Sequence, residues 1–178
     1  TLVVAHDDIE GERARPLVFG RCPREDAGWS ERGTVGDGAA GAVGVSGAGD
    51  LITLFLYWEL MALFSTVIVW CGGTPAARAA GIRYAIMHLL GGVILKVGIE
   101  GIVVHTGSIE IQPMLATNFD TWMILIGILI NAAAPPFSAW LPDAYPETSP
   151  TGAVFLSAFT TKTAVLALIL LFPGEQVL

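Results

Sequence analysis

The stretch Ala134–Val165, APPFSAWLPDAYPETSPTGAVFLSAFTTKTAV, sets two adjacent prolines before a short polar link and then places Lys162, one of only two lysines in the chain, inside an otherwise apolar run. Proline removes a backbone donor and clashes with the preceding turn, so Pro135-Pro136 predicts a broken helix. Broken backbone at membrane depth is tolerated where it is buried in protein or lines a wet cavity, and such breaks mark transport pathways. The run from Thr151 to Phe172 meets the ~20 residues that a bilayer-crossing helix needs, and an amine within it is costly enough to point to function.

Working outward, the chain has a mean hydropathy of +0.65 and is 53% hydrophobic, far from a soluble domain. Three further apolar runs join the last one: Leu51–Cys71, Tyr84–Val104 and Trp122–Leu141. The expected fold is an all-α membrane protein with four transmembrane helices, the third broken at Pro135-Pro136. Trp70, Trp122 and Trp140 stand near run ends, as interfacial belts prefer. The link from Gly72 to Arg83 carries Arg78 and Arg83 and no acid, whereas the link from His105 to Thr121 carries Glu110 and Asp120 and no Lys or Arg. The first link is therefore expected on the cytoplasmic side. The acidic link around Asp143 and Glu147 must then share that side, which the rule permits because acids contribute little to it.

Within the runs the chain carries Glu59, His88, Lys96, Glu100, Asn131 and Lys162. Counted from the outer end of each run at ~1.5 Å per residue, Glu59, Lys96, Asn131 and Lys162 lie roughly 12 to 15 Å deep, near the middle of a ~30 Å hydrocarbon core. A carboxylate and an amine at one depth shift each other's charge equilibrium and pass protons through intervening water.

Residues 1–49 read differently from residues 50–174. Fourteen of the 25 charged groups lie in residues 1–50, and GTVGDGAAGAVGVSGAG is low-complexity Gly and Ala without helical periodicity. This head is expected to be polar, Gly/Ala-rich and disordered or frame-shifted. Its G-x-G-x-x-G, Gly36–Gly41, has no strand before it and no βαβ unit around it, so it is not a nucleotide site. Residues 1–30 hold no apolar signal core. Cys22 and Cys71 form no C-x-x-C pattern and His6, His88 and His105 are scattered, so no metal and no cofactor is expected. Nor does a nucleophile with a base or a phosphate loop appear, and an enzyme in its own right is not expected.

YWELMA, with Glu59, and WLPDAYPETSPTGAVFLSAFTTKTAV resemble the antiporter-like subunits shared by Mrp-type Na+/H+ antiporters, their D-type subunits especially, and respiratory complex I, across about residues 50–172. The resemblance implies a fourteen-helix protein with two inverted five-helix repeats, of which these runs would be helices five to eight, part of one repeat. It likens Glu59 to the family's fifth-helix glutamate and Lys162 to its eighth-helix lysine. The seventh-helix lysine stands nine residues before the WLPDA tryptophan, and that position here is Asn131, which carries no charge. Lys96 is the expected substitute as charge partner of Glu59, with Glu100 sharing it. The family would have another apolar helix before GDLITLFLYWE, and its replacement by Gly, Ala and Arg is the ground for expecting a shifted frame.

The expected function is an ion-translocating subunit of an Mrp-type antiporter, with a proton-translocating subunit of NADH:quinone oxidoreductase, or a truncated nonfunctional membrane fragment, as alternatives. Oxidoreductase activity would belong to the assembled complex. Expected partners are other membrane subunits, the lipid bilayer, protons and Na+, and no nucleic acid; the expected location is the bacterial inner membrane, as a multi-pass protein.

Overall fold

The computed structural model describes residues 31–174, which form helices and the links between them, with no strand among them. The order is α1 (Glu31–Ser46), α2 (Leu51–Trp70), α3 (Pro75–Thr106), α4 (Phe119–Asn131), a 3-10 turn (Phe137–Ala139), α5 (Trp140–Ala144), α6 (Pro150–Phe155), a π-helical turn (Leu156–Thr160) and α7 (Thr161–Leu171). Three stretches are long and apolar enough to cross a membrane: Leu51–Trp70, Pro75–Thr106 and the continuous Pro150–Leu171. The chain is a membrane protein.

Local chemistry sets the helix ends. Asp50 caps α2 by accepting from the Thr53 amide and hydroxyl, both at 2.7 Å, and Thr74 caps α3 by accepting from the Ala77 amide at 2.9 Å, with Pro75 in the first turn where no donor is needed. Gly107, at φ 70°, ends α3 in the left-handed conformation that glycine tolerates. Its 32 residues make α3 about 48 Å long, so it reaches past a ~30 Å hydrocarbon core.

α4 stops at Asn131. Ala133 turns the chain with φ 55°, the Ala134 amide reaches back to Leu129 O at 3.0 Å, and Pro135 and Pro136 supply no donor. The indole of Trp140 donates to Ile130 O at 3.1 Å, satisfying one carbonyl that the ended helix leaves open.

Two apolar clusters hold the bundle. One joins Leu51, Leu54 and Trp58 of α2 to Leu95 and Ile99 of α3, Ile124 and Ile128 of α4, and Ala164, Ala167 and Leu171 of α7. The other joins Ile68 and Val69 to Ala80, Tyr84, Trp140, Ala144, Phe155 and Leu156. Arg83 donates to Asp143 at 2.6 and 2.7 Å and Thr74 to Glu147 at 3.2 Å, so the 72–83 and 143–149 links sit at the same end of the bundle. At the opposite end Leu51 N bonds Ile109 O at 2.8 Å and Met114 N bonds Leu171 O at 2.7 Å.

α1 arises in Gly/Ala text in which the sequence offers no helical period. Glycine weakens an isolated helix, but here small residues allow backbone-close packing: an added Cβ at Gly41 would lie 3.0 Å from the Met61 amide, and one at Gly44 would overlap the Tyr57 ring. α1 is thus held by its contact with α2. The expectations for residues 1–30 fall outside the described residues.

Candidate functional site

Three polar residues of the runs, Glu59, His88 and Asn131, gather at the seam between the two apolar clusters. On α3 the seam contains Gly91 and Gly92, and each receives a polar side chain from a different neighbour. A Cβ at Gly92 would overlap the Glu59 carboxylate of α2, and one at Gly91 would lie 3.2 Å from both polar atoms of the Asn131 amide of α4. The missing side chains therefore let a carboxylate and an amide rest on the backbone of α3 at consecutive positions. Neither is conventionally satisfied: Glu59 Oε1 and both Asn131 amide atoms are buried without a hydrogen-bond partner. Asn131 is 1% exposed. Buried polar groups without partners are uncommon and point to function or to bound water.

His88, one turn before Gly92, is 2% exposed, and neither ring nitrogen has a partner. Its ring stacks on Tyr84 with centroids 4.0 Å apart and meets Trp140 edge-on at 4.8 Å. Tyr84 is held in turn by donating to Ser65 Oγ at 2.9 Å, and Ser65 donates to Met61 O at 2.6 Å. The WLPDA tryptophan therefore joins the helix break to the histidine. Between α2 and α3 lies a cavity of about 420 Å³ bordered by Glu59, Thr66, Trp70, Ala85 and His88 among apolar neighbours.

The lysines lie elsewhere. Lys96 is 3.4 Å from Glu100 in an ion pair of exposed side chains, and its Nζ stands 5.9 Å from the Phe55 ring centroid, one turn from Glu59 on α2. No ion pair joins Lys96 to Glu59 among the described residues. Lys162 donates to Ser157 O at 2.6 Å. That carbonyl belongs to the π-helical turn Leu156–Thr160, where the widened ring disturbs the ordinary i to i+4 ladder. Glu59, His88 and Asn131 are thus brought to one stretch of α3, whereas Lys96 with Glu100, and Lys162, occupy separate exposed positions.

Outside the spans, the Arg83 guanidinium holds the Asp143 carboxyl below the usual carboxylate range, and the Thr53 amide and hydroxyl do the same for Asp50. His105 Nδ1 lies 2.7 Å from Asp120 Oδ2; a Cβ at Gly101 would overlap that carboxyl.

The sequence pattern did not single out Gly91 and Gly92, the Arg83–Asp143 fork, or the π turn before Lys162. The glycines carried a signal, since Gly91 and Gly98 stand two helical turns apart on one face of α3, and small residues so placed bring membrane helices together. The π turn carried none.

The sequence profile of the family described as NADH:quinone oxidoreductase/Mrp antiporter, TM, matches residues 48–176. The chain is similar to NADH-quinone oxidoreductase subunit N of Desulforudis audaxviator, 29% identical over 165 residues, which are 87% of this chain and 32% of that subunit. Its fold is similar to a chain in the Mrp complex from Dietzia sp. DQ12-45-1b, at a TM-score of 0.69 and 27% identity over 78% of this chain and 29% of that one. It is also similar to a chain of the membrane-bound sulfane sulfur reductase, an archaeal respiratory membrane complex, at a TM-score of 0.65 and 28% identity over 71% and 28%. The chain spans about a third of the length of these relatives.

Proposed function

The chain belongs to the NADH:quinone oxidoreductase/Mrp antiporter transmembrane family, and from that premise we propose that it is part of an ion-translocating subunit, moving protons or exchanging cations for protons, in a multisubunit Mrp-type antiporter. The reading takes residues 50–174 as the transmembrane unit, with the run from Trp122 to Leu141, broken at Pro135-Pro136, as the third span among four. It places the protein in a bacterial inner membrane beside other membrane subunits, with protons and Na+ as cargo.

The observation that carries the reading is the Glu59 carboxylate, seated on the backbone of Gly92 with an unpartnered oxygen, next to the Asn131 amide on Gly91. An ionisable group in an apolar bundle with no fixed partner is free to exchange one, which is what carrying a proton requires. Glu59 is the proton acceptor in this scheme. Asn131 carries no charge, so the cationic role passes to Lys96, which Glu100 holds, and Lys162 is the next station. His88 borders the path.

The test is ion flux: the protein assembled with its partner subunits in lipid vesicles, with an internal pH dye, should move protons on a Na+ or K+ gradient. Glu59→Gln should stop it with the assembled protein still present. Undiminished flux in Glu59→Gln would overturn the assignment.

A second reading, a proton-translocating subunit of an NADH:quinone oxidoreductase, is favoured by the similarity to a subunit N over 87% of the chain. Purification with a quinone reductase, and flux driven by quinone reduction rather than by a cation gradient, would decide for it.

A further inference from the structure

A second cavity, a groove of about 530 Å³, opens where the helix break meets α3. α4 stops at Asn131 and the chain turns helically again only at Phe137, so no continuous helix fills the space beside residues 83–87. Arg83, Ile86 and Met87 of α3 form one wall; Pro136, Phe137 and Trp140, with Asp143 beyond them, form the other. Ile86 is 59% exposed and Pro136 is exposed as well, so the groove opens to the outside of the bundle. Arg83 and Asp143 join the walls at 2.6 and 2.7 Å, at the end that bears the 72–83 link, and Trp140 meets Tyr84 edge-on at 5.2 Å. The groove is thus apolar along its walls and charged at its mouth. It differs from the α2–α3 cavity in a way that decides its occupant. Trp70, His88 and Glu59 bring buried, unpartnered polar atoms to that cavity, whereas no residue lining the groove has one: the Trp140 indole, for instance, is spent on Ile130 O. Walls with no bond left open suit hydrocarbon rather than water or an ion.

We propose that the groove holds one phospholipid of the leaflet on the 72–83 side, with an acyl chain between α3 and the helix break and a zwitterionic headgroup of the phosphatidylethanolamine type on the Arg83–Asp143 fork. Pockets with basic groups between membrane helices are known to take lipid headgroups, and the charges here select among them. Arg83 spends two donors on Asp143, and a guanidinium has five, so donors remain for a phosphate oxygen. The Asp143 carboxylate keeps acceptor capacity for a primary ammonium, and Glu147, which accepts from Thr74 at 3.2 Å at the same end, offers a second carboxylate. Positive and negative charge therefore stand side by side at the mouth, as they do in that headgroup. An anionic lipid would meet an arginine already neutralised by Asp143, and a quaternary ammonium has no N–H to give either acid. Walls pinned together by the fork and by the Tyr84–Trp140 contact leave no room for a helix ~10–12 Å across, whereas an acyl chain is one methylene wide. The assignment holds whichever ion the protein moves.

The test places the full-length protein, with its partner subunits, in phosphatidylcholine vesicles that carry a trace of phosphatidylethanolamine with a photoactivatable diazirine on its acyl chain; after illumination, peptide mapping locates the adducts. They are expected on residues 82–87 and 136–140. Unlabelled phosphatidylethanolamine should displace them about ten times more effectively than phosphatidylcholine or phosphatidylglycerol, a ratio that one charge-assisted hydrogen bond supports. Ile86→Trp, which fills the groove from an exposed position, should remove these adducts and leave those elsewhere on the protein unchanged. Asp143→Asn, which deletes the charged acceptor, should keep the adducts and abolish the preference among lipids. Adducts elsewhere but none in the groove would overturn the proposal by showing that protein covers it. Equal displacement by all three lipids would overturn it as ordinary boundary lipid, and stronger displacement by phosphatidylglycerol would overturn the zwitterionic headgroup. If Ile86→Trp fails to fold, the Asp143→Asn comparison, made at a partly exposed pair, decides in its place: a preference that survives it would overturn the role of the fork.

Discussion

Arg83 and Asp143, 60 residues apart, meet in a two-bonded fork with N–O distances of 2.6 and 2.7 Å. The fork ties the start of α3 to the WLPDA segment beyond the helix break and brings the basic 72–83 link and the acidic 143–147 link to one end of the bundle. The tension between those links in the sequence is thereby relieved by pairing. Because the guanidinium depresses the Asp143 carboxyl, the pair adds stability that is present above the unfolded carboxylate range near pH ~4 and is lost as pH falls through the lower folded value. Both side chains are partly exposed, at 56% and 35%, so solvent screening keeps the contribution small. Thermal unfolding in detergent should lose stability below pH ~4, and Asp143→Asn should flatten that loss. An unchanged acid slope in Asp143→Asn would show that the fork adds nothing.

The glycines of α3 predict a contrast between two alanine substitutions. A Cβ at Gly98 would lie 2.5 Å from Asp120 O and 2.7 Å from the Ile124 amide nitrogen, which are backbone of α4, whereas one at Gly92 meets the end of the Glu59 side chain. Backbone cannot yield without parting the helices, but a carboxylate can swing. Gly98→Ala should therefore cost about 1–3 kcal/mol, and Gly92→Ala should leave the melting temperature nearly unchanged while displacing Glu59 and reducing flux. Equal melting losses in the two variants would refute the distinction.

Both amide atoms of Asn131 are buried without a partner, so Asn131→Leu deletes no protein hydrogen bond and removes the cost of burying a polar group, about 1–3 kcal/mol. The expected outcome is unchanged or raised stability. A loss above about 1 kcal/mol would mean that the amide is held by bonds to water.

Much of this architecture was legible in the sequence because it rests on length and hydropathy. The three long apolar stretches follow from the runs at Leu51, Tyr84 and Thr151. Asn131, Glu59 and His88 could be marked as unusual from their neighbours alone. What could not be read was which of them meet. That depends on helix rotation, which is set by where Gly91 and Gly92 let α2 and α4 approach α3; the lysines, at comparable estimated depth, turned to other faces. α1 escaped notice because its helicity depends on contact with α2 rather than on its own pattern.

Lys162 donates to Ser157 O across the π turn, an exposed bond whose loss should cost at most about 1.5 kcal/mol. Lys162→Ala should therefore assemble normally and, on the proposed function, lose ion-coupled transport. Flux in vesicles with the amount of assembled subunit held equal checks this; full transport in Lys162→Ala would remove the residue from the pathway.

The relation of Lys96 to Glu59 is the sharpest question the site poses. Lys96 is paired with Glu100 at 3.4 Å, yet the Lys-before-Glu order at i, i+4 is the weaker helical arrangement and adds only a few tenths of a kcal/mol on an exposed helix. So weak a pair is a thin reason to keep both charges in a membrane-spanning helix. Meanwhile Lys96 Nζ is 5.9 Å from the centroid of Phe55, which stands one turn from Glu59 on α2. An amine held loosely by Glu100, within a turn of a carboxylate that has an unpartnered oxygen, has the elements of a two-position switch: Glu100 holds the lysine in the conformation described, and Glu59 would attract it when charged. A double-mutant cycle on flux measures this coupling. If Lys96 alternates between the two acids, Glu59→Gln and Lys96→Ala are strongly non-additive, and Glu100→Gln, which frees the lysine, alters flux only while Lys96 is present. Additivity of Glu59→Gln with Lys96→Ala, with coupling confined to Lys96 and Glu100, would leave those two as a neutralised pair on the helix surface and Glu59 without a cationic partner on α3.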